Sequence, residues 1–373
     1  MKTIVCVVGA RPNFMKIAPI VRAFGRRPQL RCVLVHTGQH YGADMSQSFF
    51  DELGIPEPQI NLEVGSGSHA VQTAEVMKRF EPVLDRGPVD AVLVVGDVNS
   101  TIACALVAAK KGIPVIHVEA GLRSFDRTMP EEINRVLTDQ ISDLLFTTEP
   151  DAATNLAREG IDPARVIMVG NVMIDTLMHS LDRAVPAAET LSDVLGGAGR
   201  AARLLDSYAL MTLHRPATVD DPAVLGPLLE TVATLSQQVP VVFPMHPRTA
   251  NSIRSFELTS VLERGDIVTM APQSYLRLLG LLRQARLVLT DSGGLQEEST
   301  ALGIPCLTLR PNTERPITVS HGSNRVVGTA PQDVTTAFAD FIAGRSAAGR
   351  IPPLWDGQAA ERIADAVVAW LGR

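Results

Sequence analysis

Cysteine is scarce: Cys6, Cys32, Cys104 and Cys306 are the only four, they lie far apart, mostly inside apolar runs, and none has the paired spacing of a metal site or redox motif. They read as buried thiols of a reducing, cytoplasmic compartment. No apolar stretch approaches the ~20 residues of a membrane span. The opening run, Ile4 to Val8, reaches Gly9 and Arg11 too soon for a signal peptide, so neither export by that route nor membrane insertion is expected. Positive charge is not in excess. With 34 Lys and Arg against 40 Asp and Glu, the net charge of -6 offers no global attraction to nucleic acid or anionic lipid. Also missing are the Gly-x-Gly-x-x-Gly dinucleotide fingerprint after any strand and the Gly-rich, Lys-Ser/Thr phosphate loop, which disfavours a nicotinamide enzyme or a P-loop kinase.

What is present is a globular balance: 46% hydrophobic and 20% charged residues over 373 positions, too many for one comfortable core and about right for two. Short Val/Ile-rich runs alternate with longer amphipathic stretches, the signature of parallel strands joined by helical crossovers. In the first half the strands are expected at 3–8, 32–37, 91–95, 115–118, 144–147 and 166–169, a six-strand doubly wound sheet. The pattern restarts at 209–213 and continues at 241–245, 267–270, 287–290 and 306–309. An Ala/Gly/Pro-rich region follows Leu181. The expected division is residues 1–171, residues 172–354 and a C-terminal helix in 355–373 that packs back on the first domain. Gly112-Ile113-Pro114 and Gly303-Ile304-Pro305 echo one another between the halves. The fold class is therefore α/β, two tandem Rossmann-like domains, with a central cleft between facing strand ends as the default ligand site.

The strand ends carry the chemistry. Gly9-Ala10-Arg11-Pro12-Asn13, with Lys16 beyond, is a tight turn running into a helix with cations nearby, either an anion site or a solvated basic turn. Two neighbouring strands end in acids, Gly96-Asp97 and Val118-Glu119, which can differ in acidity through burial. Asp97 is equally readable as the cap of the helix that follows it. Thr128 with Glu131 fits a capping box with Pro130 in the first turn, and from spacing alone that bland role for Glu131 wins over a third cleft carboxylate. In the second half, His214-Arg215 and His246-Pro247-Arg248 end successive strands and together point to a bound phosphate. Asp291-Ser292-Gly293-Gly294 opens a helix with bare N–H groups, a diphosphate cradle. Glu298, one turn in, is a candidate for ribose hydroxyls, and Arg310 and Arg315 add cations to the same rim.

In this order the segments Gly9-Ala10-Arg11-Pro12 with Lys16, Thr37-Gly38-Gln39-His40, Gly96-Asp97, His117 to Arg123, Pro130 to Arg135, Gly170-Asn171, His214-Arg215, Asp291 to Glu298 and Glu314-Arg315-Pro316 resemble the non-hydrolysing UDP-N-acetylglucosamine 2-epimerases nearly end to end. The resemblance implies a glycosyltransferase B-type architecture and an isomerase. It also implies catalytic roles for Asp97, Glu119, Glu131 and His214, and UDP binding by Arg11, Lys16, Ser292, Gly293, Gly294, Glu298 and Arg315, to which Arg135, Arg215 and His246 are added as binding candidates. For Glu131 it overrides the capping preference. The implied partners are a UDP-sugar and a second copy of the chain, with no nucleic acid, membrane, metal or cofactor.

The implied chemistry suits these residue types. C2 of an N-acetylated pyranose is not adjacent to a carbonyl, so direct deprotonation is not credible. Oxidation at C3 would need a nicotinamide, which the missing fingerprint argues against. Expulsion of UDP builds positive charge at C1, acidifies the C2 proton and lets a carboxylate remove it, giving a 2-acetamidoglycal. Reprotonation from the other face and re-addition of UDP complete the epimerisation. The chain departs from many members of the family at Pro216-Ala217-Thr218-Val219-Asp220-Asp221 and at Tyr41-Gly42 after His40. Those regions hold a second, activating substrate in bacterial relatives and border the sugar, so another UDP-2-acetamido sugar stays open as substrate. The rival readings are a hydrolysing 2-epimerase, a glycosyltransferase on the same architecture and an inactive nucleotide-sugar sensor.

Overall fold

The structure is a computed structural model that describes residues 1–39, 52–345 and 349–372, without the side chains of residues 11, 198–200 and 203. The chain divides into two compact units, Met1–His179 with Pro353–Arg373, and Ser180–Pro352.

The first unit holds a parallel sheet of seven strands among the described residues. They are β1 (Lys2–Val8), β2 (Leu30–His36), β3 (Ile60–Asn61), β4 (Ala91–Val95), β5 (Val115–Val118), β6 (Leu144–Thr147) and β7 (Val166–Met168). The order β3-β2-β1-β4-β5-β6-β7 reverses direction between β1 and β4. In such a sheet ligands bind beyond the carboxyl ends of the strands at that reversal. The sequence reading had six strands here; Ile60–Asn61 is the seventh, a two-residue piece pairing with Val35 and His36 of β2. Val5, Val7, Val92 and Val94 fall on one face and pack with Val76 and Phe80 of the His69–Leu84 helix and with the Asn99–Lys110 helix. That last helix is buried almost all round, as its Ala-rich, nearly uncharged sequence requires.

The Arg11–Gly25 helix packs against the last helix, Ala359–Leu371. Arg27 donates to Asp365 at 2.7 and 2.9 Å and to Glu361 at 3.0 Å. Asp175, on the Val172–Ser180 helix, caps the last helix by accepting from the N–H groups of Ala359 and Ala360 at 3.0 and 2.7 Å. Thr176 Oγ1 donates to the Met15 carbonyl at 2.6 Å, so the Val172–Ser180 helix, up to His179, belongs with the first unit.

The second unit repeats the plan with β8 (Ala209–Thr212), β9 (Val241–Pro244), β10 (Ile267–Met270), β11 (Leu287–Thr290), β12 (Cys306–Thr308) and β13 (Asn324–Val326), in the order β10-β9-β8-β11-β12-β13. β13 was not anticipated from the sequence; it pairs with β12. Alternation sorts the strands cleanly: Met211, Phe243 and Leu289 face one core with Leu228 and Phe338, while Leu210, Val242 and Val288 face the other with Leu191 and Leu281. The echo between halves is physical. Gly112 (φ +69°) and Gly303 (φ +68°) each end a helix in the left-handed conformation. The next residues, Ile113 and Ile304, donate back five residues to Ala108 and Ser299. Cys6, Cys104 and Cys306 are buried thiols; Cys32, expected buried, is half-buried. No helix among the described residues is long and apolar enough to cross a membrane.

Candidate active site

In the first unit the loop after β1 is tied to β4. The N–H groups of Gly9 and Ala10 donate to Asn13 Oδ1 at 3.3 and 3.0 Å, and Asn13 Nδ2 donates to the Val95 carbonyl at 2.9 Å. A Cβ on Gly9 would sit 2.2 Å from Ser100 Oγ, so only glycine lets these strand ends close up. Ser100 Oγ in turn donates to Gln39 Oε1 at 2.7 Å. Lys16, one turn into the first helix, places Nζ 2.7 Å from Glu119 Oε1, and both side chains are buried. Gly96, at φ +65°, makes room for that ammonium: a Cβ there would stand 2.8 Å from Nζ.

Glu119 itself has φ +73°, in the left-handed region where a side chain is strained. Its N–H and that of Ala120 both donate to the Phe146 carbonyl, at 3.1 and 3.0 Å, which holds the turn. Since Val95 and Val118 pair across β4 and β5, Asp97 and Glu119 leave the sheet side by side. Asp97 accepts from Arg135 Nη2 at 2.7 Å, and its carbonyl accepts from Asn134 Nδ2 at 2.9 Å.

Two capping expectations are corrected. The Asn99–Lys110 helix is capped by Val98 with no side-chain bond, so Asp97 is not its cap. The Pro130–Ile141 helix has Met129 at its N-cap, because Pro130 takes the first helical position; Thr128 is one residue too early and bonds to Asp126 instead. The carboxylate consumed in this turn is that of Glu132, which accepts from the N–H and Oγ of Ser124 and the N–H of Phe125, each at 2.9 Å. Glu131 is left half-buried at the helix start.

In the second unit, Asp291 closes the end of β11 against the end of β8. It accepts from the N–H groups of His214 and Arg215 at 2.9 and 2.8 Å, and His214 Nδ1 lies 3.1 Å from Oδ1. Burial pushes the Asp291 carboxyl up, but the His214 ring and the two N–H groups outweigh it and hold it below the usual carboxylate range. The imidazole is thereby oriented with Nδ1 toward Asp291, and the His246 ring lies 5.9 Å from it. His246 also caps the Pro247–Ser255 helix through Nδ1. Ser292 is the N-cap of the Gly293–Ala301 helix, whose first-turn N–H groups have no partner within the helix.

Around that helix start stand three arginines. Glu314 lies 2.9 Å from Arg310 and 3.4 Å from Arg215. Burial raises its pKa, but Arg315, Arg310 and Arg215 bring it down to about 2. Arg315 Nε donates to the buried Glu297 at 2.6 Å. Glu298 accepts from the Tyr275 hydroxyl at 3.0 Å; burial and then the Glu298 charge push that phenol up.

Of the candidates read from sequence, Lys16 with Glu119 and Arg135 with Asp97 form two ion pairs in the first unit, and His214, Arg215, His246, Ser292, Gly293, Gly294, Glu298 and Arg315 line the strand and helix ends of the second. Arg11 opens its helix, its side chain outside those described, and His40 lies outside the described residues. Sequence reasoning gave no role to Asn134, Asp291, Glu297 or Glu314, although each stands inside a segment singled out for its neighbours. Asp220 and Asp221, in the departing segment, are engaged by Arg248 at 2.5 Å and by the Ala223 N–H at 2.8 Å. No group of three or more His, Cys, Asp or Glu side chains able to hold a metal occurs among the described residues.

The chain matches the family model described as UDP-N-acetylglucosamine 2-epimerase over residues 22–368. A UDP-N-acetylglucosamine 2-epimerase from Methanocaldococcus jannaschii is 40% identical, over 96% of each chain. A UDP-2,3-diacetamido-2,3-dideoxy-D-glucuronate 2-epimerase from Pseudomonas aeruginosa is 39% identical, over 97% of this chain and 98% of its own. The crystal structure of the M. jannaschii enzyme in complex with UDP-GlcNAc and UDP matches with a TM-score of 0.86 at 40% identity, covering 99% of this chain and 100% of that one.

Proposed function

The chain belongs to the UDP-N-acetylglucosamine 2-epimerase family, and from that premise we propose that it interconverts UDP-N-acetylglucosamine and its C2 epimer by elimination and re-addition of UDP. The observation that carries this reading is the pair of carboxylates, Asp97 and Glu119, leaving adjacent strand ends, each held against a buried cation. In the forward direction the C1–O bond breaks with its electron pair going to UDP, and a carboxylate takes the C2 proton, leaving a C1=C2 double bond. A second acid returns a proton to the opposite face of C2, and a UDP oxygen re-forms the bond at C1. Epimerisation needs two acid/base groups on opposite faces, and Asp97, Glu119 and Glu131 are the candidates.

The second unit supplies what a departing diphosphate needs. The start of the Gly293–Ala301 helix, with Ser292, Arg215 and Arg315, stabilises the growing negative charge. His214, oriented by Asp291, protonates or hydrogen-bonds the leaving phosphate oxygen. Glu298 takes the ribose hydroxyls, and Arg11, Lys16, Arg135 and His246 complete the binding set. No cofactor enters this sequence of steps.

Proton NMR of UDP-N-acetylglucosamine incubated with the protein in deuterium oxide tests it. The manno epimer with deuterium at C2 is expected. Free N-acetylmannosamine with UDP would instead make this a hydrolysing 2-epimerase, and an unchanged spectrum would overturn UDP-N-acetylglucosamine as substrate. Since relatives named for two different sugars are 40% and 39% identical to this chain, the diacetamido uronate is the second substrate to assay. The working state we propose is a homodimer. Val71, Ile133 and Leu137 are exposed apolar side chains on two helices flanking a cavity of about 460 Å³, and sedimentation velocity is the check.

A further inference from the structure

His117 lies in β5 with its imidazole fully buried. Its Nδ1 is 2.7 Å from Asp139 Oδ1, and its Nε2 is 2.9 Å from the Gly96 carbonyl. A carbonyl only accepts, so Nε2 carries a proton. Asp139 accepts at Oδ2 from two other donors, the Gly121 N–H at 3.0 Å and Arg123 at 2.7 Å, so it faces the ring as a carboxylate acceptor and Nδ1 donates as well. Arg123 continues the chain to Glu159 through two bonds of 2.8 and 2.6 Å. Imidazolium, Asp139, Arg123 and Glu159 then alternate in sign and sum to zero; a neutral ring would leave the quartet with an uncompensated negative charge. Among the described residues, these are the charged groups of the ring's hydrogen-bond network, Asp139 directly and Arg123 and Glu159 behind it.

The geometry matters because of what the ring ties together. Its Nε2 bond fixes Gly96, which precedes Asp97. Its partner Asp139 fixes Gly121, two residues after Glu119. Asp139 stands on the helix that carries Arg135 and Asn134, which hold Asp97 from the other side. We propose that His117 is a positioning residue of the epimerisation, a doubly donating imidazolium that sets the spacing between the Asp97 and Glu119 turns without touching substrate. The proposal rests on the functional reading above.

The test has two parts, both on the full chain. In the unliganded protein, ¹⁵N NMR of labelled histidines should show a hydrogen-bonded N–H on both ring nitrogens of His117; a neutral tautomer overturns the proposal whatever the protein's activity proves to be. In His117→Asn, kcat for C2 deuterium exchange should fall on the order of 10²-fold, the size expected of a misplacement near 1 Å, while UDP affinity stays within about threefold. The variant should also release 2-acetamidoglycal and UDP, because elimination and reprotonation no longer share one geometry. A fall in kcat that merely follows the folded fraction, with KM unchanged and no glycal released, would overturn it. If the wild type exchanges no C2 proton on either UDP-sugar, the functional reading fails, whereas the NMR result still stands on its own.

Discussion

Lys16 and Glu119, 103 residues apart in sequence, form an ion pair of 2.7 Å with side-chain exposures of 8% and 2%. Sequence reasoning gave one to the nucleotide and the other to proton transfer; the structure makes them one unit. A carboxylate this dry persists only beside a counter-charge. The strained backbone of Glu119 is the other half of the arrangement, costing on the order of 1–3 kcal/mol that the Phe146 and Lys16 contacts offset.

Lys16→Met therefore removes the counter-charge 2.7 Å from the buried Glu119 carboxylate and should destabilise the protein by about 3–5 kcal/mol, whereas Lys16→Met with Glu119→Gln should cost clearly less than the two single changes added together. Thermal denaturation of the four proteins gives the coupling. Glu119→Gln alone should abolish C2 exchange and leave UDP binding intact. Simple additivity of the stability changes would remove the pair from any role in holding Glu119.

Gly96→Ala tests the same pair through the backbone. At φ +65° alanine costs roughly 1–2 kcal/mol, and its methyl would lie 2.8 Å from Lys16 Nζ. The ammonium must withdraw from Glu119. Loss of turnover on the order of 10²-fold, with a modest fall in Tm, is expected; near-normal turnover would mean that the 2.7 Å contact is not needed for catalysis.

The sheets were legible because long parallel strands buried on both faces must be continuous Val/Ile/Leu runs. Ile60–Asn61 and Asn324–Val326 escaped because two- and three-residue edge strands have no such run. The candidate residues were legible as types at strand ends, but not as partners. Nothing local in sequence joins Lys16 to Glu119, Arg135 to Asp97 or His117 to Asp139; the β4–β5 register and the helix that follows do. Thr128 misled as a cap because Pro130 fixes the helix start one residue later than a capping box requires. Asp291 and Glu314 were overlooked beside more conspicuous neighbours, since a carboxylate's value here comes from what it holds.

Asp291→Asn should separate orientation from binding. The amide still accepts from the backbone but no longer stabilises charge on His214 Nδ1 at 3.1 Å. A fall in kcat of about 10²-fold or more is expected, with UDP affinity, measured by calorimetry, nearly unchanged. A parallel loss of UDP affinity would make Asp291 a scaffold of the binding loop and not a partner of a catalytic histidine.

Glu314 makes the second unit sensitive to acid. Its carboxyl falls from an ordinary value of 4.5 to about 2 in the folded protein. A depressed folded value contributes stability that is fully present above the unfolded pKa and disappears as pH drops toward the folded one. The window is thus between pH 4.5 and about 2, and the contribution above it is on the order of 3 kcal/mol. At pH 7 Glu314→Gln should lower Tm, because Arg215, Arg310 and Arg315 lose the carboxylate that compensates them. As pH falls the parent loses the same stabilisation, so the two Tm curves should converge toward pH 2. Adding UDP at pH 7 should restore more stability to the variant than to the parent, since a diphosphate replaces the missing charge among the arginines. A Tm gap that stays constant from pH 7 down to 3, or equal stabilisation of both proteins by UDP, would show that Glu314 packs against these arginines without serving as their counter-charge.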